Sequence, residues 1–187
     1  MTYSTVVADP PWDYATDTRR TFTERGGDQA ELEQPYATLT VEELAAVPLQ
    51  TLAAKHAHLY LWTTQRYLRD AHWIVEAWGF RFVKLLVWCK APRGFMLGGT
   101  YQSCTEFVLF ARRGKLPARR QVNRDWFEWP RPGNQHSAKP GAFFDLVESV
   151  SPGPYLELFA RTQRLGWDSY GDECLQHVDA SPTVVAV

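Results

Sequence analysis

Features of secreted and membrane proteins are scarce in this chain. The three cysteines, Cys89, Cys104 and Cys174, are too few and too widely spaced for a disulfide framework or a zinc motif, which favours a reducing compartment. The sequence has no charged-then-apolar signal and no apolar run of about 18 residues, so neither secretion nor a membrane span is expected. We therefore expect a cytoplasmic location.

The chain also lacks a strong excess of charge. Lys and Arg number 20 against 21 Asp and Glu, which gives a formal net charge of -1. Proteins that coat nucleic acid without specificity are usually strongly basic, so any site for a polyanion must be local here. With 187 residues, 45% of them hydrophobic, the chain fits one domain covering residues 1–187.

Strand and helix patterns alternate along the sequence. Strand patterns occupy residues 3–8, 58–63, 80–89, 105–111 and 155–160. Helix patterns begin at Thr40, Thr64 and Pro140; Pro48 can interrupt the first and Gly79 ends the second. This alternation predicts an α/β fold with a mainly parallel, doubly wound sheet. The aperiodic segments 13–34, 91–103 and 113–138 are expected to be loops that recognise the substrate.

The stretch ADPPWD, residues 8–13, closes the first predicted strand with an acid, two prolines and a tryptophan. A structural explanation is a turn, because proline fixes its own backbone and biases the preceding residue toward extended geometry. A functional explanation is a site, since open α/β sheets bind ligands beyond the carboxyl ends of their strands. Arg161 follows another predicted strand directly, and the two strand ends could lie side by side.

Five segments carry a specific resemblance. In chain order they are ADPPWD at 8–13, PYATLT at 35–40, LYLWTT at 59–64, HSAKP at 136–140 and SPGPYLELFAR at 151–161. Together they resemble the MT-A70-like family of adenine-N6 methyltransferases, which includes prokaryotic and phage enzymes, over nearly the whole chain from Tyr3 to about Glu173. The resemblance implies a Rossmann-like fold that uses S-adenosylmethionine, in a permuted order with the catalytic DPPW motif first and the cofactor strand last.

The resemblance also implies roles for the first motif. Asp9 and the Pro10 carbonyl would accept hydrogen bonds from the exocyclic amine of adenine and stabilise the positive charge that develops on it. Pro10 and Pro11 would hold these acceptors still. Trp12 would offer a face to a base extruded from its stack, and Tyr36 is a candidate second face.

For the cofactor, the family pattern places Lys139 near the methionine carboxylate. Further cofactor-binding candidates lie in the first motif, in the HSAKP and LELFAR segments and near the end of the match: Asp9, His136, Ser137, Glu157, Phe159, Arg161, Asp172 and Glu173. The sequence departs from the family at Asp172, where relatives often carry an amide, and at Arg164, where they often carry a small polar amide.

A basic strip with interleaved aromatic side chains lies between residues 112 and 131. Phosphates favour such a strip and aromatic rings can stack on bases, although a solvated loop has the same composition. The candidate substrate contacts are Arg112, Arg113, Arg119, Arg120 and Trp126. The chain has no room for a separate recognition domain, so a homodimer or a helper subunit is a further hypothesis.

The expected activity is N6 methylation of adenine in DNA. The same reaction on RNA and N4 methylation of cytosine remain alternatives, because the catalytic motif serves either polymer and both amines. A non-catalytic nucleic-acid-binding subunit is an alternative of another class, although such partners commonly lose the acidic motif that is intact here.

Overall fold

A seven-stranded sheet forms the centre of the computed structural model, which describes residues 1–13, 38–91, 101, 103–132 and 138–170. Its strand order is β5-β3-β4-β2-β1-β6-β7. The strands are β1 (Tyr3–Ala8), β2 (Ala53–Thr63), β3 (Arg81–Ala91), β4 (Thr105–Arg113), β5 (Trp126–Pro130), β6 (Tyr155–Leu158) and β7 (Trp167–Tyr170). The helices are α1 (Val41–Ala46), α2 (Leu49–Leu52), α3 (Leu68–Ala77) and α4 (Gly141–Val150).

The sheet is mixed but mostly parallel, which confirms the predicted fold class. β1 pairs in parallel with both β2 and β6, and the β3–β5 and β6–β7 pairs are parallel too. β4 runs antiparallel to both of its neighbours, β2 and β3. The carboxyl end of β4 therefore lies at the edge of the sheet where the other strands begin.

Alternating side chains of the central strands supply two cores, one on each face. On one face, Val6 and Leu59 belong to the core that packs against α1, α2 and α3. On the other, Val7 and Tyr60 join the aromatic core built around Phe143 of α4. Helices on both faces give the predicted double winding.

The helix boundaries follow local signals with one exception. Thr40 accepts from the Glu43 amide at 3.2 Å while the Glu43 carboxylate accepts from the Thr40 amide at 2.8 Å, so the predicted capping box is present. Pro48 separates α1 from α2, as expected. The predicted start of the next helix at Thr64 is wrong: Thr64 begins a turn and α3 starts four residues later, at Leu68.

Two strands fall outside the predicted set. β5 lies at an edge of the sheet inside the segment predicted to be a loop, and β7 follows β6, so the strand at 155–158 is not the last. Both are short, and β5 exposes most of its side chains and ends in a proline, so neither carries a strong apolar alternation.

Candidate active site at the carboxyl edge of the sheet

Asp9 lies at the carboxyl edge of the sheet, between the ends of β1 and β6. Its amide donates to the carbonyl of Leu158, the last residue of β6, at 3.4 Å. Arg161 follows β6 closely and acts electrostatically on Asp9. The ends of these two strands are therefore adjacent, as predicted, because β1 pairs in parallel with β6.

The two prolines after Asp9 are fixed by backbone hydrogen bonds. The Pro10 carbonyl accepts from the Trp12 amide at 2.9 Å, and the Pro11 carbonyl accepts from the Leu39 amide at 3.0 Å. Pro10 is also buried. These bonds, together with the restricted φ of proline, hold the segment that follows Asp9 in one conformation.

A chain of alternating charges extends from Asp9 across the edge of the sheet. The Lys139 Nζ lies 3.0 Å from the Asp9 carboxylate and 3.3 Å from that of Glu106, and Glu106 also pairs with Lys90. Lys139 and Glu106 expose only 9% and 16% of their side chains. Ion pairs this well buried are held in one geometry, because breaking one leaves a charge without compensation.

Local structure explains how these side chains meet. Lys139 immediately precedes Pro140, which caps α4, so the helix position fixes the lysine. Glu106 lies opposite Trp88 in the β3–β4 pairing, and Lys90 lies two residues beyond Trp88 on the same face. Glu106 and Lys90 were not among the predicted site residues, since only the antiparallel register of β3 and β4 brings them beside Lys139.

Burial and charge act against each other in this cluster. Burial raises the pKa of Asp9, opposed chiefly by the ammonium of Lys139. For Lys139, burial lowers the pKa, but the carboxylates of Asp9 and Glu106 outweigh it, so that the pKa is raised. Burial likewise raises the pKa of Glu106, yet Lys139 and Lys90 bring it below its ordinary value. Lys139 and Glu106 are thus held in their charged forms.

Glu157 adds a second carboxyl group on the same side of the sheet. Burial and the neighbouring Asp9 charge raise the pKa of Glu157 to about 7. Val7 and Glu157 are paired in the β1–β6 register, which places the carboxyl group one residue pair before the strand ends. This edge therefore holds Glu157, whose pKa is near neutrality, beside Asp9, which is paired with Lys139.

Two further features of this edge are typical of ligand sites. Phe159 has a φ of 61°, a left-handed conformation that costs non-glycine residues about 1–2 kcal/mol. The indole Nε1 of Trp62 is buried and has no hydrogen-bond partner among the described residues. Lys139 Nζ lies 5.0 Å from the centre of the Trp62 ring, which places this unmatched donor in the same cluster.

The expectation that Trp12 offers a stacking face to a base does not agree with the structure. Trp12 is only 4% exposed, and its ring stacks on Tyr67 with the ring centres 4.8 Å apart. Its Nε1 donates to the Trp62 carbonyl at 3.2 Å. Trp12 therefore belongs to the hydrophobic core, and its contacts there anchor the segment that follows Asp9.

Five of the predicted site residues lie outside the described residues. They are Tyr36, His136, Ser137, Asp172 and Glu173. The same holds for nearly all of the predicted recognition loops 13–34 and 91–103.

The basic strip, whose arginines and Trp126 are the predicted substrate contacts, does not lie beside Asp9. Arg112 pairs with His58, which is level with Thr5 near the start of β1, and Arg113 pairs with Ala57, because β4 runs in the opposite direction. Phe107, opposite Thr63, marks the carboxyl edge of β2, and five residues of strand separate it from Arg112, or roughly 17 Å.

Several side chains of the strip instead support the fold at this amino edge. Arg113 donates to the Gln50 carbonyl in the first turn of α2 at 2.9 Å. Arg119 donates to the Glu148 carbonyl at 2.9 Å and to the Tyr155 hydroxyl at 3.1 Å. Trp126 is 53% exposed, but it points to the sheet face opposite that of Phe127.

Arg164, the residue that departs from the family pattern, is directed toward α4. Its guanidinium donates to Glu148 at 2.9 Å and to Asp145 at 2.7 Å, and it lies over the ring of Phe144 at 5.3 Å. These contacts tie the segment between β6 and β7 to α4.

The sheet order, the helices on both faces and the acidic site at the carboxyl edge define an α/β protein with a Rossmann-like methyltransferase fold. The MT-A70 family model matches residues 3–173. The chain therefore belongs to the MT-A70 family of methyltransferases.

Three relatives illustrate the range of the family. The type II methyltransferase M.MunI of Mycoplasma sp is 32% identical over 195 residues, which cover 97% of this chain and 82% of that protein. The human N(6)-adenine-specific methyltransferase METTL4 is 28% identical, covering 95% of this chain and 39% of METTL4. The N6-methyladenosine RNA methyltransferase MTA1 of Cryphonectria parasitica is 28% identical, with 93% of this chain and 52% of MTA1 covered.

The chain thus spans most of the bacterial relative but about half or less of the two eukaryotic ones. Within the described residues, no helix is both long and apolar enough to cross a membrane.

Proposed function

We propose that this protein transfers a methyl group from S-adenosylmethionine to the N6 amine of adenine in DNA. The observation that carries the proposal is the position of Asp9, a carboxylate fixed between two parallel strand ends and paired with the buried Lys139. Family membership supplies the reaction class, and the likeness to a type II methyltransferase supports DNA as the polymer.

The residues at this edge fit S-adenosylmethionine because they present charges of both signs to a zwitterionic ligand. Lys139 is the cation suited to a carboxylate, and Asp9 and Glu157 are the acids suited to an ammonium group and hydroxyls. The unmatched Nε1 of Trp62 and the strained backbone at Phe159 are two further signs of a ligand at this place. Arg161 completes the proposed cofactor set among the described residues, and when bound the cofactor supplies an electrophilic methyl group on a sulfonium centre.

The chain's own residues overcome the weakness of the adenine amine as a nucleophile. The lone pair of this amine is delocalised into the ring, so the site has to favour the pyramidal nitrogen of the transition state. Asp9 accepts a hydrogen bond from the amine and stabilises the positive charge that develops on nitrogen. The Pro10 carbonyl is the second acceptor, and its bond to the Trp12 amide keeps it in a fixed direction.

Asp9 is also suited to receive the proton that the methylated amine releases. Burial raises the pKa of Asp9, which makes its carboxylate a stronger base than an exposed aspartate. Lys139 keeps the same carboxylate ionised before the amine arrives. Orientation of the amine toward the methyl group is expected to supply a further share of the acceleration, up to roughly 7 to 11 kcal/mol in favourable cases.

Product analysis tests this function. The protein is incubated with S-adenosylmethionine carrying a labelled methyl group and with duplex DNA, single-stranded DNA or RNA, and each polymer is then digested to nucleosides. The proposal expects label in N6-methyladenine from DNA. Label found only in RNA would make this an RNA methyltransferase like the fungal relative, and label in N4-methylcytosine would change the base.

A further inference from the structure

A groove of about 500 Å³ lies at the amino edge of the sheet, on the face that packs α4. Its floor is largely aromatic and apolar, formed by Tyr60, Leu86, Phe110 and Phe127. Its rim is basic: among the described residues that line it, the charged ones are Lys84, Arg112, Arg120, Arg124 and Asp125. Four cations around one acid give this groove a clear excess of positive charge.

Arg112 provides a second, independent sign of a ligand. Its Nε is buried and has no hydrogen-bond partner among the described residues, and its guanidinium lies 5.6 Å from the centre of the Phe110 ring. A buried donor without an acceptor costs roughly 1–3 kcal/mol, more when it is charged, so such groups are rare unless something supplies the acceptor. An anion in the groove would do so.

The other cations leave capacity for an anion. Arg120 uses its Nε to bind Ser149 at 3.0 Å, at the end of α4, and the rest of its guanidinium is exposed at the rim. Lys84 and Asp125 lie 3.6 Å apart with more than half of each side chain exposed, an ion pair that water largely screens. Arg124 is exposed and forms no ion pair within the described part of the chain.

We propose that this groove binds the phosphate backbone of the nucleic-acid substrate at a point well away from the methylated base. This inference rests on the proposed function in taking the substrate to be a polynucleotide. The guanidinium groups match phosphate oxygens, and the aromatic floor accommodates the sugar or base of the bound nucleotide.

The spacing along β4 sets the distance between groove and active site. Glu106 and Arg112 lie on the same face of this strand, six residues apart, or roughly 20 Å. Along the axis of B-form DNA one strand carries one phosphate per 3.4 Å, so on a duplex the groove lies about six nucleotides from the target base.

The test is a binding measurement that does not depend on methyl transfer. Fluorescence anisotropy follows a labelled deoxyadenylate strand of about 20 nucleotides over a range of salt concentrations. The variant is the double substitution Arg120→Gln with Arg124→Gln, which changes exposed side chains and leaves the partly buried Arg112 in place. Its matched control is Lys55→Gln with Lys115→Gln, which removes the same charge from exposed positions near this edge but outside the groove.

The groove variant is expected to bind the strand about tenfold more weakly, with a salt slope smaller by about 1.4, while the control variant shows little change. An equal loss in both variants would overturn the proposal in favour of general charge attraction. Displacement of the strand by low concentrations of adenosine monophosphate at constant ionic strength would instead assign the groove to a free nucleotide. Because the experiment measures binding and not methyl transfer, it tests the groove even if the proposed reaction is wrong.

Discussion

The two edges of the sheet hold their charged side chains in different ways. At the carboxyl edge, Asp9, Lys139, Glu106 and Lys90 alternate in sign, and each is in contact with a partner of opposite charge. At the amino edge, the groove gathers four cations against a single acid, and the Nε of Arg112 has no acceptor within the described residues.

The difference separates two tasks that a methyltransferase has to perform. A matched, buried chain of charges fixes one carboxylate in direction and ionisation, as chemistry on a single amine requires. An unmatched excess of cations at a rim attracts a polyanion along its length without selecting one atom. Changes at the first edge should therefore alter turnover, and changes at the second should alter binding of the strand.

The largest effect is expected for Asp9→Ala. It removes the acceptor that stabilises the developing charge, and the loss of one such preorganised group typically costs about 10²–10³ in kcat. Binding of S-adenosylmethionine should stay measurable by titration calorimetry, since Lys139 retains the partner Glu106. Turnover within a factor of about two of the wild type would remove Asp9 from the mechanism.

Lys139→Ala should act mainly on the cofactor. A hydrogen bond to a charged group contributes about 1.5–3 kcal/mol, so the Kd for S-adenosylmethionine should rise by about 10-fold to 150-fold. Lys90→Ala is the control, because Lys90 contacts Glu106 at the other end of the chain of charges. An equal rise of the Kd in both variants would show that the cluster as a whole, rather than Lys139, holds the cofactor.

Glu106→Ala should give a smaller loss, about tenfold in kcat/KM, because Glu106 acts by positioning Lys139. Glu106→Gln keeps an oxygen that can accept from the Lys139 ammonium and should recover most of this loss. If the Gln variant were as impaired as the Ala variant, the negative charge of Glu106 rather than its hydrogen bond would position Lys139. The pH profile of kcat/KM would then shift in both variants, because both lack that charge.

The smallest effect on turnover is expected for Glu157→Gln. This substitution should instead change how the free energy of unfolding depends on pH. The pKa of Glu157 is about 7 in the folded protein against the ordinary 4.5, so between these values the folded state keeps a proton that the unfolded state loses. Stability from this group is therefore greatest below pH 4.5 and declines as the pH rises to about 7, by up to roughly 3 kcal/mol. Urea unfolding at several pH values should show this decline in the wild type and a smaller decline in the variant, which keeps the contribution of Asp9.

Local and parallel features were predictable from the sequence. The capping box at Thr40 and the turn around Pro48 follow from residues that act on their immediate neighbours. The meeting of Asp9 with the end of β6 was also predictable, since parallel strands bring their carboxyl ends to one edge.

Features that depend on strand direction and register could not be predicted from the sequence. An apolar run marks β4 as a strand but does not show that it runs opposite to its neighbours, and this reversal moves Arg112 and Arg113 to the far edge. The same antiparallel register brings Glu106 to Lys139 from far away in the sequence. The prediction for Trp12 was wrong because its motif suggests a ligand, whereas its burial depends on stacking with Tyr67, which lies more than 50 residues further along the chain.

The most direct test of this division between the edges is the single-turnover rate of methyl transfer with strand and cofactor both saturating. Asp9→Ala and the double variant Arg120→Gln with Arg124→Gln are compared with the wild type on the same long oligonucleotide. The rate is expected to collapse for Asp9→Ala, while the groove variant needs more strand to reach saturation and then transfers the methyl group at a rate near that of the wild type. A collapse in the groove variant together with a normal rate for Asp9→Ala would contradict it.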